Sequence, residues 1–552
     1  MRGPVVIFEE ARRRLRVIKR KLQTKLLGAV QHPEYVRATH YFGEGWALNS
    51  LQVVDRVSLR RDMAQIVEDG FNTVIFVVPW RGYQTDHYAP TYDDSYLRQL
   101  ERMMAAAQHA GLSIIVRLSY AHQVLDRQPL SGITTIQRLL NDSATQDAWL
   151  DYMARVHALC VSYRAFRAAF LSWEEFWHAF WRWQLYKPEH KRQLAEETGY
   201  ARYLQEQGID AEPVIPRPEE ADYRHFHAFS NHRIRQMHAL AASRVPQLGI
   251  EIRVDKDKQK NADGSVDWLS NDSYTDLDVL RYTYWAPFMG AANEGEILST
   301  EQAIGLLTHA LNEVTGRGAD VGHIVDQFNF VDDAPKFRGI HARIDPEEVG
   351  QFLHAAVPVM ATLSRGFGIW AWRDYRQNLL YNARFLLGTR GWEVACGTAR
   401  PQRHGGVRLS GASLIRQTLP ARVSGLQTTV PFDEFELVAR AVDRYQSGQL
   451  EARINAGPWH VLETAATTLG ASAASDELRV IFEVQRPMIL EDGIVIELRN
   501  SGAPVTVDGL NLFHVVFRGG FRDEHGDPCG HYEALKAFNA ELASTVTAAA
   551  TD

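Results

Sequence analysis

The sequence predicts a (β/α)8 barrel, an α/β TIM barrel, followed by an antiparallel β-sandwich of jelly-roll type, and three observations predict it. Between about residues 37 and 385, short apolar runs alternate eight times with amphipathic helical stretches, which is the pattern of parallel βα units. After about Asn382 the texture changes to short, often alternating runs separated by turn residues, as in all-β folds. The chain also has 552 residues, more than one core organises, since single cores stop growing near ~250–300 residues.

The first run is Arg37 to Tyr41, and the helix after it, Asp55 to Asp69, ends at Gly70. Thr73 to Pro79 is β-branched with few polar residues, as expected of a strand covered on both faces. Leu97, Leu100, Met103, Met104 and Ala107 share one stripe of the next helix, which stops at Gly111. Ile114 to Leu118 reads as the third strand, and a helix around Trp149 to Cys160 leads to the fourth, Ala168 to Trp173. Ile250 to Val254 and Leu277 to Thr283 read as the fifth and sixth. Ser299-x-x-Gln302 is a capping-box pattern at the start of the following helix. His323 to Phe328 is the seventh strand, and Asp345 and Pro346 stand as N-cap and N1 of the helix behind it. Phe367 to Trp372 is the eighth. A doubly wound sheet competes, but no glycine-rich phosphate turn follows the first run.

The expected organisation is a basic N-terminal helix (1–36), the barrel (37–385), a sandwich resembling carbohydrate-binding modules (386–525), and a terminal helix with a disordered Ala/Thr-rich tail (526–552). An insertion over 181–223 joins a basic helix, His190 to Glu197, to Pro213, Pro216 and Pro218, and reads as a lid or binding ledge. In the sandwich, Trp392, Trp459 and Phe521 are sugar platforms if they face outward and core if they face inward.

Composition narrows the class. The 45% apolar and 23% charged fractions are those of an ordinary soluble protein, and a net charge of -7 excludes the basic footprint of a nucleic-acid binder. Cys160, Cys396 and Cys529 are odd in number and far apart, which suits neither a disulfide framework nor a metal site and fits a reducing compartment. No cofactor and no metal are expected. Arg12, Arg13, Arg14, Arg16, Lys19, Arg20, Lys21 and Lys25 interleave with Val17, Ile18, Leu22, Leu26 and Leu27 as a basic amphipathic helix. The run from Leu26 to Val30 is too short for a signal-peptide core. The expectation is a cytoplasmic protein with peripheral contact to the inner membrane face; a solvated helix packed on the domain fits the same residues.

In a barrel of this kind the reacting groups sit where the strands end. The polar and aromatic residues after each run are Glu44 and Trp46; Trp80, Arg81 and Tyr83; Arg117, Tyr120 and His122; Trp173, Glu174 and Glu175; Arg253, Asp255, Lys256 and Asp257; Tyr282, Tyr284 and Trp285; Asp326, Gln327 and Asn329; Trp370, Trp372, Arg373 and Asp374. Flat rings stack on the C–H faces of pyranoses, and carboxylates bond hydroxyls and do acid/base work, so the set points to a poly- or oligosaccharide. Leu171-Ser172-Trp173-Glu174-Glu175-Phe176-Trp177 stands out. Two adjacent carboxylates among apolar neighbours are expensive to desolvate, and burial raises a carboxyl pKa toward that of a general acid. The same pair would also suit the first turn of the next helix.

These residues resemble clan A glycoside hydrolases, the cellulase, mannanase and β-galactosidase barrels. In that clan an acid/base Glu, usually preceded by Asn, ends the fourth strand and a nucleophilic Glu ends the seventh. Trp173-Glu174-Glu175 is similar to the clan's Trp-Asn-Glu, with Glu174 in the Asn place, so the resemblance implies Glu175 as acid/base. It further implies an eighth-strand Trp at Trp370 or Trp372 and a sixth-strand Tyr at Tyr282 or Tyr284.

The seventh strand departs from the pattern. Gln327-Phe328-Asn329 takes the register of the clan's Glu-Phe-Gly, and a glutamine forms no glycosyl-enzyme. Three explanations stand: a Glu-to-Gln replacement made to trap substrate; Asp326 serving in a register shifted by one; or a protein that binds glycan without cutting it, as in a polysaccharide assembly system. Strand neighbours point to opposite faces, so only one of Asp326 and Gln327 is expected in the cleft. The function expected is retaining hydrolysis of a glycan, with transglycosylation or non-catalytic binding as its rivals.

Overall fold

The computed structural model describes residues 34–549 apart from 44–50, 52–55, 81–83, 87–90, 93, 120–130, 173, 185, 254–255, 262, 264, 271–278, 294, 316–321, 331–340, 386–387, 403–404, 420–431, 442–445, 447, 465–475, 486–493, 518–519 and 524–525. The basic segment at the N-terminus, with its expected membrane contact, lies outside the described residues.

Eight parallel strands close into a barrel in sequence order: β1 (Val36–His40), β2 (Thr73–Pro79), β3 (Ser113–Ser119), β4 (Phe166–Leu171), β5 (Gly249–Arg253), β6 (Arg281–Trp285), β7 (His323–Phe328) and β8 (Gly366–Ile369), with β8 pairing back onto β1. The intervening helices include α1 (Arg56–Glu68), α2 (Asp94–His109), α3 (Ser131–Asn141), α4 (Ser143–Cys160), α5 (Glu174–Trp183), α6 (Pro188–Glu197), α7 (Tyr200–Glu206), α8 (Tyr223–Ala242), α9 (Thr300–Thr315) and α10 (Val349–Leu363). The capping box is present: Ser299 N–H donates to Gln302 Oε1 at 2.9 Å, and Gln302 N–H to Ser299 Oγ at 3.4 Å. Gly70, at φ +92, ends α1 in the left-handed conformation that glycine adopts at no steric cost. The sixth strand begins at Arg281, four residues later than the Leu277 expected of it. This places Tyr282 low in the barrel and Tyr284 at its mouth.

Alternation fixes two layers. Val36, Ala38, Ile75, Ile115, Phe170, Tyr282 and Ile324 fill the barrel interior. Their strand neighbours, such as Phe76, Val116, Leu171, Ile250, Ile252, Val325 and Phe367, face the helices and join the large outer core. Gly249 makes room for the interior stack of Phe170 on Tyr282, ring centroids 3.9 Å apart; a Cβ there would lie 2.6 Å from the Tyr282 ring.

The C-terminal region is an antiparallel sheet of ten strands around its own core of residues such as Leu409, Phe435, Leu437, Ile496 and Leu512. Its first strand, Tyr375–Asn378, lies before the expected boundary at 385/386 and pairs with Val505–Phe517. The chain then returns to the barrel. A last helix, α11 (Tyr532–Ala549), places Leu535, Phe538 and Leu542 in the outer barrel core. The tail expected to be disordered continues this helix as far as Ala549, with Val546 packed against the same core.

Candidate active site

Each barrel strand brings an inward side chain to the C-terminal mouth. Counting by twos from the interior layer, Ile115 leads to Arg117 on β3, Phe170 to Ser172 just past β4, and Tyr282 to Tyr284 on β6. On β5, Glu251 sits between the outward Ile250 and Ile252. Ala38 leads to His40 on β1, and Gly368 on β8 to Trp370.

β7 breaks the count. Tyr282 pairs with Ile324 but Tyr284 pairs with Gln327, so β7 spends three steps where β6 spends two. The extra residue is a β-bulge. Ile324 faces the interior, and Val325 and Phe328 face the helices. Both Asp326 and Gln327 turn inward, Asp326 toward His40 at 3.8 Å and Gln327 onto Glu251. The expectation that only one of the two could face in is thereby corrected; strict alternation fails where the strand carries an extra residue.

Glu251, 1% exposed, is the hub. Its Oε2 accepts from Ser172 Oγ at 2.6 Å and from Arg117 Nη2 at 3.2 Å, and its Oε1 accepts from Gln327 Nε2 at 2.8 Å. Arg117 Nη2 also donates to Ser172 Oγ at 2.8 Å. Charge-assisted bonds of this kind are about twice as strong as neutral ones, and four strands are tied by them. The Arg117 guanidinium lies 5.5 Å from the Trp370 ring centroid, within cation–π range. Trp370 Nε1 donates to Tyr375 Oη at 2.9 Å, which fixes the indole at the mouth.

Asp326 has no exposed surface, whereas Gln327 keeps 8%. A ligand atom reaches the second more readily than the first. Burial, reinforced by the Arg117 charge, holds His40 well below 6.5 against the raising effect of its bond to Ile369 O. That bond, Nδ1 to the carbonyl at 3.3 Å, puts the ring proton on Nδ1. Tyr282 is pushed up by burial and then by Asp326.

Of the other expected site residues, Tyr284 is half-buried with its ring 6.0 Å from Phe288, and Asn329 follows β7 with its Oδ1 buried and unbonded among the described residues. Glu174 and Glu175 open α5, in its first turn directly after β4; their side chains lie outside the described part. Glu44, Trp46, Arg81, His122, Trp173 and Asp255 also lie outside the described residues.

Five expected sugar contacts are corrected. Trp80 packs in the outer core 6.5 Å from Tyr152. Trp285 is stacked there between Phe328 and Phe352. Trp372 donates its Nε1 to Asp69 Oδ2 at 2.9 Å, under the returning C-terminal segment. Tyr282 belongs to the closed interior layer. Asp374 accepts from Gly520 N–H at 2.8 Å, at the junction with that same segment. In the C-terminal region Trp392 and Phe521 are core, and Trp459 lies beneath the guanidinium groups of Arg453 and Arg499, at 4.5 and 4.1 Å.

Glu251 and His40 are site residues that the sequence expectation does not include. Glu251 carries a signal all the same: one acidic residue between two isoleucines, in a strand covered on both faces, must point into the barrel. Among the described residues no group of three or more His, Cys, Asp and Glu side chains could hold a metal ion.

No family model and no curated protein matches the chain. Among solved structures it is similar to a GH5_18 protein from Bifidobacterium longum subsp. longum in complex with Manβ1-4GlcNAc, at 12% identity and TM-score 0.40 over 62% of this chain and 70% of that one. It is also similar to a GH5_18 protein from Streptomyces cattleya in complex with GlcNAc, at 11% identity and TM-score 0.37 over 62% and 72%. A third is an exo-β-1,4-mannosidase from an Opitutaceae bacterium, at 13% identity and TM-score 0.38 over 62% and 53%. Likenesses this distant do not bear on the substrate or the mechanism of this chain.

Proposed function

We propose that the barrel mouth is the active site of a glycoside hydrolase acting on a poly- or oligosaccharide, with Gln327 standing where a retaining enzyme carries its nucleophilic carboxylate. The observation that carries this reading is convergence. Arg117, Ser172, Glu251, Gln327 and Trp370 come from five strands to one polar, aromatic mouth. An indole edge with fixed donors and acceptors beside it suits a pyranose, apolar on its faces and polar on its rim.

Glu175 opens the helix after β4 and takes the part of the acid that protonates the departing glycosidic oxygen. In double displacement the acid gives its proton to that oxygen as the C1–O bond breaks. A carboxylate oxygen bonds C1, and water then cleaves the glycosyl ester while the acid takes back a proton. An amide cannot stand in for the carboxylate, because its nitrogen lone pair is delocalised and its oxygen carries no full charge. The unaltered chain therefore binds glycan and turns it over slowly. Asp326 is the weaker candidate for the nucleophile, since it is sealed against His40.

Turnover of an unactivated oligosaccharide tests the assignment. Gln327→Glu is expected to raise the rate by at least about a hundredfold, with retained anomeric configuration in the product. Adding Glu175→Gln should remove that gain. No gain from the first change, together with no loss from the second, refutes the hydrolase reading. The second reading, a glycan-binding protein without catalysis, is favoured by Gln327 itself, and glycan binding with no turnover even in Gln327→Glu would establish it. In a glycan-bound crystal structure, the Glu175 carboxyl and the Gln327 side chain should lie ~5–5.5 Å apart.

A further inference from the structure

We infer that Glu251 is a positioning residue that sets the polarity of the seventh-strand seat, turning the Gln327 amide so that its carbonyl oxygen accepts a hydrogen bond from a donor on the sugar beside the anomeric carbon. The inference rests on the glycan reading above and adds what that seat selects. A carboxylate only accepts hydrogen bonds, whereas a primary amide has a donor end and an acceptor end. Gln327 meets Glu251 at 2.8 Å through Nε2, as it must. Its Oε1 has no hydrogen-bond partner among the described residues and is not among the buried unbonded atoms, so it keeps accessible surface on a residue that is 8% exposed.

Glu251 is held in place from its other side. Arg117 and Ser172 both bind its Oε2, one as a buried ion pair and one as a short hydroxyl bond. Reversing the Gln327 amide would set carbonyl oxygen against carboxylate oxygen at hydrogen-bond distance, with no proton between them. The orientation is therefore fixed from beneath, by Arg117 on β3, Ser172 just past β4 and Glu251 on β5. The ligand chemistry that fits is a sugar with a hydroxyl or an acetamido N–H next to C1. A sugar bearing only an acceptor there would meet the amide oxygen with repulsion.

Glu251→Gln inverts this logic while keeping the shape. The new side chain can still accept from Arg117 and Ser172, but it then offers its own NH2 to Gln327, which must turn its oxygen inward and its nitrogen to the cleft. Gln327→Leu removes both polarities and leaves Glu251 in place. The measurement is calorimetric titration of 4-nitrophenyl α- and β-hexosides of the gluco, galacto and manno series. Each is compared with its 2-deoxy-2-fluoro and 2-acetamido-2-deoxy counterparts, against the full-length chain and both variants.

The unaltered chain should prefer a 2-hydroxy or 2-acetamido ligand to its 2-fluoro counterpart by about tenfold, one hydrogen bond's worth. The hydroxyl and acetamido arms show which donor is used. In Glu251→Gln the preference should fall to about one or reverse, and in Gln327→Leu it should fall to about one. Equal weakening of all ligands with the ratio kept, in either variant, overturns the positioning role and leaves the glycan reading standing. Should Glu251→Gln fail to fold, Glu251→Asp takes its place: it draws the carboxylate back from Gln327 Nε2 and should likewise bring the preference to about one, and a kept preference overturns the positioning role. Binding of no sugar by the unaltered chain overturns the glycan reading and this inference with it.

Discussion

His323 opens β7 at the bottom of the barrel, paired with Arg281 at the start of β6. Burial, and then the neighbouring Arg281 charge, push its imidazole from 6.5 down to about 4. Its Nε2 has no hydrogen bond among the described residues, so no partner offsets the desolvation. The unfolded chain takes a proton near 6.5 and the folded chain only near 4, so the folded state is penalised as the pH falls between those values. Stability from the neutral ring is complete above pH 6.5 and is lost on descent toward pH 4, by roughly 3 kcal/mol in all. His323→Gln should flatten that limb of the stability curve, read as the urea midpoint at pH 7 and pH 4.5. An unchanged difference between the two pH values would exclude His323 as its source. His40 shares the direction of shift at the opposite end of the barrel, but there the ring is placed by the Ile369 carbonyl and lies tilted against Trp370, ring centroids 4.7 Å apart.

The bulge in β7 shows what a strand contributes beyond its residues, and β8 has to accommodate it. Gly368 faces inward next to the bulge; a Cβ there would sit 2.6 Å from Asp326 O and 2.9 Å from Ile75 Cδ1. Gly368→Ala should therefore cost about 1–3 kcal/mol by overpacking and, by pushing the Asp326 backbone, loosen Gln327 from Glu251. Thermal unfolding and calorimetric titration of the hexosides would show both effects, and a variant as stable as the unaltered chain would mean the bulge is not clamped there. The same geometry explains which parts of the site are legible in the sequence. Eight strands can be read because their apolar runs are long and β-branched, and the seventh falls in place to the residue. What periodicity cannot give is phase across an inserted residue, so Asp326 and Gln327 read as alternatives when both face in. Trp80, Trp285 and Trp372 mislead for a related reason. Proximity to a strand end does not say which face a ring takes, whereas counting by twos from Ile115, Phe170 and Ala38 selects Arg117, Ser172 and His40. Glu251 escapes because it lies within the fifth apolar run rather than after it, where polar groups at a barrel mouth are expected.

At the scale of the whole molecule, the C-terminal chain is bound back to the barrel through one buried carboxylate. Asp69, at the end of the first barrel helix, has no exposed surface. It accepts from Arg522 Nε at 2.9 Å and Nη2 at 2.6 Å, from Tyr532 Oη at 2.8 Å, and from Trp372 Nε1 at 2.9 Å. Asn539 on α11 adds a bond to Asp69 O at 2.9 Å, beside Gly70, where a Cβ would lie 3.0 Å from the Asn539 Cβ. The hub thus joins α1, the loop after β8 that carries Trp370, and the two ends of the segment returning from the antiparallel sheet. Taking away the carboxylate strands the Arg522 charge in a site where its side chain is 8% exposed, and breaking a buried pair in this way costs about 3–5 kcal/mol. Asp69→Asn keeps the size and some of the bonds, so its loss should fall within that range and appear first at the C-terminus. Hydrogen exchange should show the amides of α11 losing protection ahead of the barrel strands, because the helix is held by Phe538 and Leu542 packing together with this hub. Ligand affinity at the mouth should fall as well, since Trp372 and Trp370 share one loop. If α11 keeps its full protection in Asp69→Asn, the apolar contacts alone hold the terminus, and the carboxylate serves only to place Trp372.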